Sequence, residues 1–206
     1  MGKYIKTFNE LYETLEHIDW NEFAKLAAAV YEELPVLDKD AVKHWEELNR
    51  SNHIFYKRLT SNIKVEFINE PNLKGDIYPD QDTMKKEVKE TGVLKISAYP
   101  PANHPFFSQD DLLIMRAVHD YIIHIEGDNP FGLKGEMRAA NNHMRLLPKM
   151  ARPALFTEYV GQVSWSIVHN KFPVQKVALM EGFDYEHIGK ILDGFEIHHK
   201  HLRATQ

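Results

Sequence analysis

Apolar side chains recur every three or four residues through most of this chain, and that spacing restricts the possible fold more than any other feature of the sequence. It runs through residues 8–34, 39–60 and 109–126, and it returns in residues 135–147 and 153–169. Apolar residues at this spacing form one face of an amphipathic α-helix, which must be buried against other elements. The pattern predicts a mainly α fold, a bundle of packed helices.

Local signals indicate where several of these helices begin and end. Ser108 is a good N-cap for the helix over residues 109–126, because its side chain can accept a hydrogen bond from a free N–H of the first turn. Pro148 ends the helix over residues 135–147, since proline is costly in a helix interior. Pro153 suits the first turn of the helix that follows.

Two short segments depart from the helical pattern. IKVEFI (63–68) alternates apolar and polar residues, which predicts a β-strand, and GVLKIS (92–97) is a second strand candidate. A charged helix is predicted over residues 81–90, and the two strands could pair across it. The predicted fold class is therefore mainly α with a small β-sheet of two strands, with α+β as the alternative.

The 206 residues are predicted to form a single domain, since the sequence shows no repeat, no low-complexity segment and no linker. Two further short helices are predicted, from FPVQKVALM (172–180) and from DYEHIGKIL (184–192). The predicted domain has a helical N-terminal part, a small sheet and a helical part that bears the candidate site, at residues 1–60, 61–100 and 105–195 respectively.

Charge and composition exclude several classes of protein. The formal net charge of −5 argues against a general nucleic-acid binder, which needs a basic face. No apolar run reaches the roughly 18 residues of a membrane-spanning helix. The first residues lack the apolar core of a signal peptide, so a cytoplasmic protein is expected. Because the chain has no cysteine, any metal must be held by histidine and carboxylate ligands.

Histidine and acidic residues interrupt the apolar stretches of three consecutive predicted helices. Such groups are costly to bury without a partner, and a metal ion is one partner that holds them. These residues, with one glutamine, are His119, Asp120 and His124 on the first helix, Glu136 and His143 on the second, and Glu158 and Gln162 on the third.

Helical geometry tests whether these side chains can converge. Asp120 and His124 lie about 40° apart on one face of an α-helix. His119 and His124 lie about 140° apart, so both could reach one site only from its two sides. Glu136 and His143 are about 20° apart, and the pair on the third helix is again about 40° apart. Antiparallel helices can aim such faces at a common point, as in the metal sites of helical bundles.

A divalent metal, zinc, manganese or iron, is therefore predicted, since imidazole and carboxylate ligands without thiolate suit these ions. Two alternatives stay open: a buried hydrogen-bond network without a metal, and unrelated surface residues. The predicted metal ligands are His119, Asp120, His143, Glu136 and Glu158.

The stretch HDYIIHIEGDNPFGLKGE (119–136) resembles a motif of the HD-domain phosphohydrolases, especially the dNTP triphosphohydrolases. The resemblance implies that His119 and Asp120 are metal ligands. It places His124 and Glu136 near that family's catalytic positions and near the positions that orient its metal ligands. Three residues rather than two separate Asp120 from His124, and Leu133 stands where the family has histidine.

An upstream histidine ligand belongs to the same motif, and here it would have to be His53 or His104.

A broader stretch, residues 63–176, resembles a family of tailed-phage and prophage proteins. The resemblance implies a biological setting, in the cytoplasm of an infected cell or in the virion, and no particular reaction. The blocks that carry it are residues 116–124, 135–136, His143, 151–162 with Trp165, and 172–176.

These observations lead to the hypothesis of a phage-encoded, metal-dependent hydrolase that acts on nucleotides or phosphoesters. The metal would activate water, and a carboxylate would act as general base. The predicted catalytic residues are Glu136, Glu158 and His124, and the predicted substrate-binding residues are Arg116, Arg138 and Gln162. The alternatives are a non-enzymatic virion or host-interaction protein, and then a metallopeptidase. The partner is expected to be a small or phosphate-bearing substrate, and a homo-oligomer stays open.

Overall fold

The computed structural model describes residues 20–70, 77–98 and 103–180. Within these residues the fold is mainly helical with a small two-stranded sheet, as the sequence predicts. The predicted helical segment before residue 20 and the one over residues 184–192 lie outside the described residues.

The helices follow the predicted apolar stripes. The α-helices are α1 (Trp20–Glu33), α2 (Val42–Leu59), α3 (Gln81–Thr91), α4 (Gln109–Val118), α5 (Leu133–Leu146), α6 (Arg152–Phe156) and α7 (Val163–His169). Two π-helical segments interrupt this series: π1 (His119–Glu126) continues α4, and π2 (Thr157–Gln162) lies between α6 and α7. The helices predicted over residues 109–126 and 153–169 are thus both present, but each contains a wider turn that the apolar spacing does not show.

The sheet is a single strand–helix–strand unit. Strands β1 (Lys64–Ile68) and β2 (Val93–Ser97) are parallel, with α3 between them in the chain, which confirms the expected pairing. Leu94 and Ile96 of β2 pack with Met84 of α3 and Leu113 of α4 in one apolar cluster. This cluster fixes the sheet against the helix that leads into π1.

The larger core joins α1, α2, α5 and α6. Trp45 and Leu48 of α2 are fully buried there, together with Met144 of α5 and with Leu155 and Phe156 of α6. In this packing α5 contacts both π1 and π2. Side chains of the three predicted site-bearing helices therefore lie close together.

Residues 172–180 form no helix, so the short helix predicted from FPVQKVALM is wrong. The backbone N–H of Val177 donates to the carbonyl of Val36 at 2.8 Å, and Asp38 N–H donates to the Val177 carbonyl at 2.7 Å. The Lys176 ammonium also donates to three carbonyls at the end of α1, at 2.6–2.8 Å. These contacts are distant in sequence, and they override the local apolar pattern.

Candidate metal centre

The π1 segment places His119 and His124 side by side. A π-helix is wound by hydrogen bonds between residues five apart, so residues five positions apart lie on the same face. Such a bond closes the segment, from Gly127 N–H to the Ile122 carbonyl at 3.0 Å. The Nε2 atoms of His119 and His124 are 3.1 Å apart. The expected separation of about 140° assumed α-helical geometry, which this π-helical segment does not have.

Glu136 completes the group from the first turn of α5. Its Oε2 lies 3.4 Å from His119 Nε2, and its Oε1 lies 3.4 Å from His124 Nε2. The preceding residue, Gly135, allows this approach, because a Cβ there would lie 1.7 Å from the carbonyl oxygen of Pro130. The loop before α5 can thus pack directly on its first turn.

These three side chains form a group that could hold a metal ion. With metal–ligand bonds of about 2.1 Å, ligand atoms of a tetrahedral site are roughly 3.4 Å apart. Adjacent ligands of an octahedral site are roughly 3.0 Å apart. The imidazole nitrogens are 3.1 Å apart, and each lies 3.4 Å from a different oxygen of Glu136, so these nearest donor separations fall in this range.

The hydrogen bonds of His124 leave its Nε2 available as a ligand atom. His124 Nδ1 lies 2.7 Å from the carbonyl oxygen of Asn129. A carbonyl only accepts, so Nδ1 carries the hydrogen and, in the neutral ring, Nε2 keeps its lone pair. Histidine ligands of metals commonly donate their other N–H in this way. The ring of Tyr159 stacks on His119 with centroids 4.0 Å apart and shields that imidazole.

The ionised carboxylate of Glu136 and the neutral imidazole of His119 suit a cation. Burial raises the pKa of Glu136, but hydrogen bonds and charge from His119 and His124 outweigh it and lower the pKa to about 2. Burial lowers the pKa of His119. Burial also lowers that of His124, but the hydrogen bond and charge of Glu136 outweigh it, so the net shift is upward. At neutral pH the group offers a carboxylate and a neutral His119.

The three donors line a cavity of about 370 Å³. Arg116 and Asp120 lie in its wall, and the Arg116 guanidinium donates to the Ser97 carbonyl at 3.0 Å. Phe172, of which 58% is exposed, also lines the cavity. The rest of the lining is mostly apolar and aromatic: Ile77, Tyr78, Ile96, Phe131, Tyr159 and Val163.

Two of the predicted site residues stand close to the three-donor group but outside it. Asp120 is half-buried in the cavity wall. His143 is fully buried behind His119, with ring centroids 6.0 Å apart, and neither of its nitrogens has a hydrogen-bond partner among the described residues. Burial lowers the pKa of His143 to about 3. The roles of both residues as metal ligands stay predictions.

Glu158 and Gln162 form a separate buried cluster on π2. Gln162 Nε2 donates to Glu158 Oε1 at 2.9 Å, and His104 Nε2 lies 3.8 Å from Glu158 Oε2. Burial raises the pKa of Glu158 to about 7, against the opposing influence of Gln162, Arg116 and Gln175. Within the described part of the chain, neither Glu158, Gln162 nor Arg138 lines the cavity. Their catalytic and substrate-binding roles stay predictions.

The two histidines considered as an upstream ligand are engaged elsewhere. His104 Nδ1 accepts hydrogen bonds from the backbone N–H groups of Phe106 and Phe107 at 3.1 and 2.9 Å, so the neutral ring carries its hydrogen on Nε2. His53 Nε2 lies 2.8 Å from Asp111 Oδ1, at the surface. Neither histidine joins the three-donor group.

Tyr159 and Asn129 contact the two imidazoles, yet sequence reasoning missed both. Neither residue type is a typical ligand, and neither lies at the helical spacing used to select the others.

The chain matches no family model, no curated protein and no solved structure. Within the described residues, no helix is both long enough and apolar enough to cross a membrane.

Proposed function

We propose that the protein is a metal-dependent hydrolase whose metal is held by His119, His124 and Glu136. The single observation that carries the proposal is the convergence of these donors in the wall of a 370 Å³ cavity. Two imidazoles and one carboxylate suit zinc, manganese or iron and leave a coordination position for water. Such a metal, when bound, lowers the pKa of its water and polarises the scissile bond.

Asp120 is the general base in this proposal. A base must lie within reach of the attacking water, and Asp120 lines the cavity outside the three-donor group. Glu136 is used as a ligand. Glu158, the other base candidate from the sequence, is packed in the π2 cluster away from the cavity lining. Tyr159 covers His119 and keeps water from its ring face.

A phosphoester or nucleotide is the proposed substrate. Arg116 and Lys95 bring positive charge to the cavity wall, and arginine binds phosphate oxygens well. The apolar side of the cavity can receive the organic part of such a substrate. The resemblance to phage proteins supports an origin in a phage and a site of action in the infected cell, with the virion as the alternative.

Hydrolysis assays test the proposal. Protein stripped with a chelator and then reloaded with zinc, manganese or iron would be screened against phosphomonoesters, phosphodiesters and nucleotides. We expect metal-dependent hydrolysis that Asp120→Asn reduces roughly 100-fold or more, as loss of a general base does. Arg116→Gln should raise KM more than it lowers kcat. Glu158→Gln is the matched carboxylate control and should keep the activity.

An absence of hydrolysis by metal-loaded wild-type protein over the whole panel would contradict the hydrolase. So would equal losses of activity in Asp120→Asn and Glu158→Gln.

A second candidate function, binding to a protein partner, is favoured by one apolar face. Val36, Phe172 and Val174 are 50%, 58% and 66% exposed and line one groove. Such patches are typical of interaction surfaces. Sedimentation velocity tests self-association: a concentration-dependent dimer in wild-type protein that Val174→Ser abolishes would support it. A monomer at all concentrations would leave this face without support as a homo-oligomer interface.

A further inference from the structure

The last turn of π1 is held from outside the helix by two amide side chains. The final carbonyls of a helix have no partner within it, so others must satisfy them. Asn129 Nδ2 donates to the Ile123 carbonyl at 2.9 Å, and Gln81 Nε2 donates to the His124 carbonyl at 2.7 Å. We call Asn129 and Gln81 the amide clamp. Both residues are buried, at 2% and 7% exposure.

Asn129 acts on the imidazole of His124 as well as on the helix end. Its main-chain oxygen accepts the Nδ1–H of His124 at 2.7 Å. Its side chain makes a second donation, to the Gly127 carbonyl at 3.2 Å, which folds the loop back under π1. The same residue therefore fixes where π1 ends and which nitrogen of His124 faces Glu136.

Gln81 connects the clamp to the strand–helix–strand unit. It lies at the start of α3, and its Nε2 also donates to Asp128 Oδ1 at 2.9 Å. Lys85, one turn later in α3, reaches the same carboxylate oxygen at 2.6 Å. The loop after π1 is thus bonded to an element that contributes none of the three donors.

Gly127 makes room for the clamp. A Cβ at this position would lie 2.5 Å from the Ile123 carbonyl oxygen and 3.0 Å from Asn129 Nδ2. Those two atoms form one of the bonds of the clamp. A side chain at residue 127 would have to displace it.

We propose that Asn129 and Gln81 are positioning residues for the metal centre, which hold π1 wide and so keep the His119 and His124 nitrogens on one ion. The inference rests on the proposed metal site and deepens it. If the segment relaxed to an α-helix, the two histidines would turn to about 140° apart, and Glu136 could no longer meet both rings. The clamp keeps the wider turn by satisfying the carbonyls at its end.

The test uses the full-length Asn129→Asp and Gln81→Glu variants, which keep side-chain size but replace the donating nitrogen with oxygen. Asn62→Asp is the matched control, because Asn62 Nδ2 also donates to a helix carbonyl, that of Arg58 at 3.2 Å, but at the exposed end of α2. Zinc affinity would be measured by chelator competition, and cobalt binding by its visible spectrum.

We expect each clamp variant to bind zinc roughly 10- to 100-fold more weakly, with unchanged stoichiometry at saturation. The cobalt spectrum should change in both, since the ligand geometry changes, and the control should match wild type. Nitrogen NMR of the metal-free protein should show hydrogen on Nδ1 of His124 in wild type and a mixture of tautomers in Asn129→Asp.

Unchanged zinc affinity and an unchanged cobalt spectrum in both clamp variants would overturn the inference while leaving the metal site intact. Wild-type protein that binds neither ion would overturn the metal site itself. The His124 tautomer in metal-free protein then decides whether the clamp orients the ring. If Asn129→Asp does not fold, Gln81→Glu alone tests the inference, because it removes the hydrogen bond that α3 donates to the His124 carbonyl.

Discussion

π1 and π2 are two π-helical segments that both carry buried polar side chains, but these side chains are arranged differently in the two segments. In π1, the ring nitrogens of His119 and His124 converge with Glu136 beside a cavity. In π2, Glu158 and Gln162 hydrogen-bond to each other away from that cavity lining. A polar residue on an apolar helix therefore does not define a metal site. Donor atoms that converge beside a cavity form a group that could hold a metal ion.

The carboxylates of the two regions differ in charge for the same reason. Burial tends to raise the pKa of both, but Glu136 faces two imidazoles that lower its pKa to about 2. Glu158 has weaker compensation, so burial raises its pKa to about 7. At neutral pH the first is ionised and suited to a cation, and the second is close to half-protonated.

Removal of one imidazole from π1 should have the largest effect. His124→Ala should weaken zinc binding by more than roughly 100-fold, because loss of a residue that only hydrogen-bonds to a metal ligand already costs roughly 10- to 100-fold. Chelator competition measures it, with Glu158→Gln as the control from the other segment. Comparable losses in the two variants would erase the distinction between π1 and π2.

Gly135→Ala should damage the π1 region selectively. The new Cβ would lie 1.7 Å from the Pro130 carbonyl oxygen, a rigid backbone atom, so α5 and the loop must move apart. We expect a loss of about 3 kcal/mol in the free energy of unfolding and weaker zinc binding. Urea denaturation measures the first. Lys134→Ala, at an exposed position of the same turn, should stay within about 0.5 kcal/mol of wild type.

Glu158→Gln should change the pH dependence of stability. In the folded protein Glu158 keeps its proton up to a pKa of about 7, whereas the ordinary value is 4.5. The contribution of protonated Glu158 to the free energy of unfolding is therefore complete below pH 4.5 and is lost as the pH rises through 7. Relative to wild type, the variant should gain about 3 kcal/mol in the free energy of unfolding over that range. A constant difference across the range would show that Glu158 is ionised in the folded protein.

His143→Leu should change the pH dependence of stability in the opposite direction. Burial lowers the pKa of His143 from 6.5 to about 3. Between these two pH values the unfolded chain binds a proton at His143 that the folded protein does not bind. Wild-type stability should fall as the pH drops below 6.5, by about 2 kcal/mol from this residue at about pH 5. Urea denaturation at about pH 6.5 and about pH 5 should show a smaller fall in the free energy of unfolding for the variant than for wild type. An equal fall would mean that His143 is protonated in the fold.

Much of the fold was predictable because its signals are local. Ser108 caps α4 as expected, with its Oγ accepting the Asp111 N–H at 3.1 Å. The alternation in residues 63–68 and the second strand candidate after the predicted helix indicated that two strands could pair, and the structure shows that the pair is parallel. Residues 172–180 were not predictable in this way, because their non-helical conformation depends on hydrogen bonds to residues 36 and 38.

The candidate site was predictable only in part. Its three donors all stood among the residues selected from the sequence, with His124 assigned to catalysis rather than to the metal. The spacing of apolar residues does not indicate the π-helical geometry that brings the three donors together. That geometry is sustained by Gln81, which lies more than 40 residues from His124 in the chain.

Metal content, measured by ICP-MS on untagged protein purified without chelators, tests the central claim most directly. Wild type would be compared with His119→Ala from the three-donor group and with Glu158→Gln from the π2 cluster. We predict near-stoichiometric zinc, manganese or iron in wild type and in Glu158→Gln, and almost none in His119→Ala. No metal in wild type, even after soaking with each ion, would contradict the account and leave the three side chains as a buried hydrogen-bond network.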